Sequence, residues 1–199
     1  MKKIVLASNN KHKLIEVKEI LNPLGFECLS LSDIGFNEEI IEDGLTFSEN
    51  AMIKAKAVRK VTNLPVIADD SGLSVDILNG EPGVHSHRYS GEAATDKENR
   101  DKLISVLSKL LPPYKAHFTS SIAYIDDKRS FVKEGYVYGE IILEEKGNNG
   151  FGYDPIFYLE EYKKTMAEVD PSIKNSISHR HNALMEFVKE LLNEDSSVL

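Results

Sequence analysis

Tryptophan is absent from this 199-residue chain and cysteine occurs once, at Cys28, so neither an internal disulfide nor a multi-cysteine zinc site is available. The single thiol, next to Leu29, is expected to pack as a small apolar residue. No apolar run approaches the roughly 18 residues of a membrane span. The opening "MKKIVLASNN" is basic and then apolar, but its apolar part is too short for a signal peptide, and a cytoplasmic protein is expected. Excess positive charge is missing as well. The 24 Lys and Arg against 32 Asp and Glu leave a net charge of -8, which argues against general adhesion to nucleic acid. An acidic protein can still bind polyphosphate where lysines and a metal ion are gathered locally. There is no internal repeat, low-complexity tract or linker. What remains is a globular composition, 41% hydrophobic, in a length suited to one domain with room for two lobes.

The first half alternates strand and helix signals. "KKIVLAS" reads as a buried strand and "KLIEVKEILNPLG" as an amphipathic helix with Leu14, Val17, Ile20 and Leu21 on one face. "FECLSLSDI" is a second strand, Thr46 and Glu49 form a capping box before "TFSENAMIKAKAVRKVTN", and "LPVIA" is a third strand. The β-α-β-α-β order predicts an α/β fold with a partly parallel sheet. Beyond it, "GLSVDIL" alternates like a strand with one wet face, ending in a turn at Asn79-Gly80. Thr95 and Glu98 repeat the capping box, and Pro112-Pro113 is expected to stop the helix that follows. Two strands joined at Asp126-Asp127-Lys128 come next. A last helix is expected from about Ser176 to Leu192, with "NEDSSVL" as a frayed tail.

Open α/β sheets bind ligands outside the carboxyl ends of their strands, which directs attention to three segments. "SNNKHK" offers small polar side chains and helix-start N–H groups from Ser8, Asn9 and Asn10, with Lys11, His12 and Lys13 adding donors and charge. It reads as a phosphate site or as an ordinary N-cap by Asn9 or Asn10, and it is not a Walker loop. "NEEIIEDG" crowds Glu38, Glu39, Glu42 and Asp43, either a solvated loop or oxygen ligands for a hard cation. "ADDSGL" sets Asp69 and Asp70 side by side; if the strand continues through them they point to opposite faces and cannot grip one ligand equally. Their other reading is a strand end turning at Ser71-Gly72.

Taken in order, "ASNNKHK", "EDGLTFSENAMIKAKA", "ADDSGL", "EPGVHSHRYSG", "GFGYDPIF" and "SISHR" resemble the inosine triphosphate pyrophosphatases, the Ham1-like family of non-canonical purine nucleotide pyrophosphatases, along nearly the whole chain. The fold class expected is α/β, a central mixed β-sheet flanked by helices in two lobes with an active-site cleft between them. The resemblance implies that Ser8, Asn10 and Lys13 hold a triphosphate, that Glu42 and Asp70 bind Mg²⁺, and that Asp70 accepts the proton of the attacking water. Ser71 would touch the substrate and Lys54 would face its phosphates. Phe151, Gly152, Tyr153, Asp154, Lys174, His179 and Arg180 would form the nucleoside pocket, with Phe151 stacking on the base and Arg180 or nearby N–H groups donating to a keto oxygen. The implied activity is cleavage of ITP, dITP and XTP to monophosphate and pyrophosphate by a homodimer. The alternatives are a pyrophosphatase for modified pyrimidine nucleotides and a nucleotide-binding regulator without turnover.

Several residues carry duller expectations. Asp69 is expected to support the site from behind or to polarise water. His181 is expected at the surface. His85 and His87 could share a strand face, with a surface role expected, and Tyr136 and Tyr138 read as sheet packing.

Overall fold

The computed structural model describes residues 2–193, so most of the tail "NEDSSVL" lies outside the described residues. Seven strands form one mixed sheet: β1 (Lys2–Leu6), β2 (Phe26–Leu29), β3 (Val66–Val75), β4 (Lys115–Ile125), β5 (Ser130–Ile141), β6 (Phe157–Leu159) and β7 (Lys164–Thr165). Their order is β2-β1-β3-β4-β5-β6-β7; β1 is parallel to β2 and β3, whereas β5, β6 and β7 pair antiparallel. Among the described residues five α-helices accompany them: α1 (Lys11–Leu21), α2 (Phe47–Arg59), α3 (Asp96–Leu107), α4 (Pro171–Ile177) and α5 (His179–Asn193). None is long and apolar enough to cross a membrane.

The chain divides into two compact units. The first takes in the described residues up to Ser71, Ser120–Gly135 and the chain from His179; the second takes in Gly72–Thr119 and Tyr136–Ser178. In the first unit, strand alternation sorts the core into two faces. Ile4, Leu6, Ile67 and Ile122 pack with Val17 and Leu21 of α1 and with Ala183, Leu184 and Phe187 of α5, and Cys28 is buried among them as expected. Val5, Ala7, Val66, Ala68 and Ala123 pack with Ala51, Ala55 and Val58 of α2. Close approach is enforced at Gly135 of β5, where a Cβ would run into the backbone of Ala183 and His179. The second unit has its own core, in which Leu73, Val75, Phe118, Val137 and Ile141 of the strands meet Leu103 and Leu107 of α3 together with Ile156, Phe157 and Met166.

Both capping boxes form, Thr46 with Glu49 and Thr95 with Glu98. Other expectations are corrected. "LPVIA" and "GLSVDIL" are not two strands: β3 runs unbroken through Asp69 and Asp70, and every one of its residues is buried, so it has no wet face. Ionic partners for both aspartates let the strand continue where sequence alone suggests a stop. The second strand ends at Leu29, because the hydroxyl of Ser30 and the carboxylate of Asp33 exchange hydrogen bonds with each other's backbone N–H and close a turn. The helix α3 ends at Leu107, well before Pro112-Pro113. The expected final helix is two helices, separated at Ser178, whose ψ of 153° is extended. One such residue leaves no trace in hydrophobic periodicity. His85 and His87 lie on a 3-10 segment, Gly83–Arg88, rather than a strand. His181 is half-buried rather than exposed. Tyr136 and Tyr138 stack on each other along β5 with ring centroids 6.1 Å apart, and Tyr138 is 71% exposed.

Candidate active site

In the first unit, the extended backbone of β3 turns Asp69 and Asp70 to opposite faces, and their partners differ accordingly. Asp69 shares its face with Ile67, towards α1 and α5. Its side chain is 0% exposed and accepts from Lys13 Nζ at 2.9 Å, Arg180 Nε at 2.9 Å and Ser120 Oγ at 2.7 Å. Burial alone would raise the Asp69 pKa, but Arg180, Lys13 and the Ser120 hydrogen bond outweigh it and hold the carboxyl far below the usual carboxylate range. Desolvation pulls the Lys13 ammonium below its ordinary value despite Asp69. Arg180, whose side chain is 2% exposed, also bonds Glu16 through Nη1 and Ser71 Oγ through Nη2 at 3.1 Å. Burial opposes its charge, yet Asp69 and Glu16 raise its pKa further.

Asp70 faces the other way, on the side of Ala68 and α2. Lys54 of α2 donates to Asp70 Oδ1 at 3.1 Å and to Glu42 Oε2 at 2.7 Å. Burial would lower the Lys54 pKa, but the two carboxylates override it and the ammonium is held above its ordinary value. Glu42 reaches this point because its loop is tied to the start of α2. Asn50 Oδ1 accepts from the Gly44 N–H at 2.8 Å, and Glu49 Oε2 from the N–H groups of Leu45 and Thr46. The acidic run therefore divides: Glu38, Glu39 and Asp43 are exposed, and Glu42 alone turns in to Lys54. Among the described residues no three His, Cys, Asp or Glu side chains gather as a metal cage. Two carboxylates converging on one cation nevertheless suit a hard divalent ion, which commonly takes one or two carboxylates and completes its shell with water and phosphate oxygens.

At the start of α1, Asn10 is the N-cap, its Oδ1 accepting from the N–H groups of His12 at 3.0 Å and Lys13 at 3.2 Å. Ser8 Oγ accepts from the Asn10 N–H at 3.1 Å. Asn9, Lys11 and His12 are exposed, whereas Lys13 is buried against Asp69, donating to its backbone oxygen as well as its carboxylate. The segment is thus a capped helix start with an inward lysine.

The second unit holds a separate arrangement around Phe151. Asp154 accepts from the Phe151 N–H at 2.9 Å and from Lys174 Nζ at 2.6 Å, and that ammonium stands 4.8 Å from the centroid of the Phe151 ring. Gly150, at φ +79°, sits where a Cβ would meet the Asp154 carboxylate. Asp96 and Arg100 of α3 grip the N–H and carbonyl of Gly152, both at 2.7 Å. Tyr153 points into the core and donates its hydroxyl to the Ser86 carbonyl at 2.8 Å. Desolvation pushes that phenol well above its ordinary pKa.

The residues expected to form the nucleoside pocket come from both units. Phe151, Gly152, Tyr153, Asp154 and Lys174 belong to the second unit; His179 and Arg180 belong to the first, with the Arg180 guanidinium engaged by acids and Ser71. Sequence reasoning missed Glu16, Ser120 and the Asp96–Arg100 grip. Glu16 lies three residues from Lys13 on one helix face, a usable signal. Ser120-Ser121 interrupts an apolar strand, a second one. The grip on Gly152 joins distant segments and had none.

The Ham1 family model matches residues 4–190. A dITP/XTP pyrophosphatase of Bacillus subtilis (strain 168) is 48% identical over 193 residues, 96% of this chain and 98% of that protein. One from Clostridium tetani (strain Massachusetts / E88) is 46% identical over 195 residues, 96% of each. Among solved structures, a HAM1 protein from Coxiella burnetii has a TM-score of 0.90 at 43% identity, covering 97% of this chain and all of that one. The Staphylococcus aureus Ham1 protein gives 0.89 at 42%, with the same coverage. With its motifs in order, its strands in a mixed sheet and nearly half its residues shared with such relatives, the chain belongs to the Ham1 family.

Proposed function

We propose that the protein hydrolyses non-canonical purine nucleoside triphosphates, ITP, dITP and XTP, to the monophosphate and pyrophosphate, and so clears deaminated purines from the nucleotide pool. The observation that carries this reading is the convergence of Asp70 and Glu42 on Lys54, on the face of β3 opposite the sealed Asp69 cluster. The printed activity of the relatives, dITP/XTP pyrophosphatase, supports the same substrate class.

In this reading Glu42 and Asp70 hold Mg²⁺, which when bound neutralises phosphate charge and polarises the reacting phosphoryl group. Asp70 orients a water and accepts its proton as the water adds to the α-phosphorus; the bond to the bridging oxygen breaks and pyrophosphate leaves. Lys54 offsets the charge of the phosphates, and the Ser8–Lys13 segment and Ser71 bind the substrate. Phosphoryl transfer asks mainly for such positioning and neutralisation. Phe151, steadied by Asp154 and Lys174, stacks on the base. The six-position keto oxygen needs a donor. Because the Arg180 guanidinium is occupied by Asp69, Glu16 and Ser71, that donor is assigned to a backbone N–H. A donor facing adenine's amino group would lack a partner, and such mismatches reject an analogue by roughly 10⁴-fold.

A homodimer in the cytoplasm belongs to the same proposal, and sedimentation tests the dimer. The function is tested by a panel of ITP, dITP, XTP, GTP and ATP, with and without Mg²⁺, reading pyrophosphate and orthophosphate. Pyrophosphate from the deaminated purines, far faster than from ATP and only with the metal, is expected. Equal rates with ATP, or orthophosphate as the first product, would overturn the reading.

A further inference from the structure

The point at which Glu42 and Asp70 converge is filled by a side chain. Lys54 Nζ lies 2.7 Å from one carboxylate and 3.1 Å from the other, on a stem only 11% exposed. The arrangement is built rather than incidental. Lys54 sits on α2, and the loop bearing Glu42 is fastened to that same helix through Asn50 and Glu49. Asp70 is fixed by its strand. Of the three side chains, the lysine has the longest and most flexible stem.

We infer that the Lys54 ammonium is a resident stand-in for the divalent cation, released only when a triphosphate offers it new acceptors. The inference rests on the assignment of that cation to Glu42 and Asp70. A divalent cation held by these two carboxylates would compete with the ammonium bonded to them, since two positive charges within a few ångströms repel strongly in a partly buried setting. The nucleotide-free protein therefore holds the cation weakly. Phosphate oxygens draw Lys54 away and bring ligands for the cation, so cation and triphosphate promote each other's binding, and by linkage the coupling is reciprocal. Lys54 thus serves both as phosphate ligand and as the residue that delays metal loading until substrate is present.

The test is Mn²⁺ binding to the full-length, nucleotide-free protein, followed by calorimetry and by the electron paramagnetic resonance of free Mn²⁺. Lys54→Met is expected to bind at least tenfold more tightly than wild type, with Lys54→Gln alongside as a second neutral replacement. Lys56→Met, which removes the same charge from an exposed position of α2, is expected to stay within twofold of wild type. Adding Asp70→Asn to Lys54→Met should abolish the gain. Wild type binding as tightly as both Lys54 variants, through a site that Asp70→Asn destroys, overturns the inference and leaves the cation assignment standing. Binding that neither Asp70→Asn nor Glu42→Gln alters, in either background, overturns the assignment itself. A gain in Lys56→Met equal to that in Lys54→Met reduces the effect to net charge and also overturns the inference.

Discussion

Replacing Asp69 by Asn would keep the shape of the side chain and remove the countercharge of two buried cations. Lys13 and Arg180 both lie 2.9 Å from the Asp69 carboxylate, and Asp69 itself is wholly buried. Both cations bond Oδ2, so an Asn amide oxygen in that place can still accept from them, with its NH₂ turned to the Ser120 hydroxyl, but it brings no negative charge. Arg180 retains Glu16, whereas Lys13 keeps only a neutral acceptor. Breaking a buried pair of this kind costs about 3–5 kcal/mol, a large share of the roughly 5–15 kcal/mol that stabilises a typical protein. For a chain of this length each kcal/mol moves Tm by about 2–4 °C, so circular dichroism should record a fall of roughly 6–20 °C. Lys13→Met in the same chain removes the orphaned ammonium and should restore part of the loss, giving a favourable coupling in the double-mutant cycle. The pH dependence follows from the depressed pKa of Asp69. A carboxyl whose folded pKa is lowered contributes stability that is complete above the unfolded value, near ~3.9, and is lost as the pH falls below it. The gap between wild type and Asp69→Asn should hold steady from pH 7 to about pH 5 and narrow below about pH 4. A fall of less than ~2 °C at neutral pH, or a gap that widens in acid, would refute the reasoning.

Three further outcomes are expected. Asp70→Asn should lower kcat by about 10²–10⁴-fold, the range of a lost general base, while retaining nucleotide binding by calorimetry without divalent cation; unchanged turnover would remove Asp70 from the chemistry, and a wild type without turnover would favour a regulator. Phe151→Ala should weaken purine triphosphate binding by ~1–3 kcal/mol, read as a raised KM, and Phe151→Tyr should keep most of it. Gly135→Ala forces a methyl against the backbone of α5 and should destabilise by about 1–3 kcal/mol, seen as a lower urea midpoint with an unchanged slope.

Much of the fold was legible because local rules act over short distances. The capping boxes at Thr46 and Thr95 and the β-α-β-α-β order rest on contacts within a few residues or on periodicity. The misreadings occur where a distant partner overrides local preference. Two adjacent aspartates look like a strand end until Lys13, Arg180 and Lys54 supply charges from three helices; β3 then continues through both. Ser178 divides the last helix without any change in hydrophobic pattern. In the acidic run, composition cannot tell Glu42 from Glu38, Glu39 or Asp43. Only the fastening of the loop to α2 does so.

The sequence by itself determined the α/β class, the family motifs and the opposition of Asp69 to Asp70, because strand alternation is a property of the backbone and needs no partner. Tertiary structure alone decided what each carboxylate does. It sealed Asp69 between two buried cations, turned Asp70 to Lys54 and Glu42, and gave the Arg180 guanidinium to acids instead of leaving it open to a ligand. Charges in a protein take their roles from their neighbours, and here those neighbours lie up to 164 residues away along the chain.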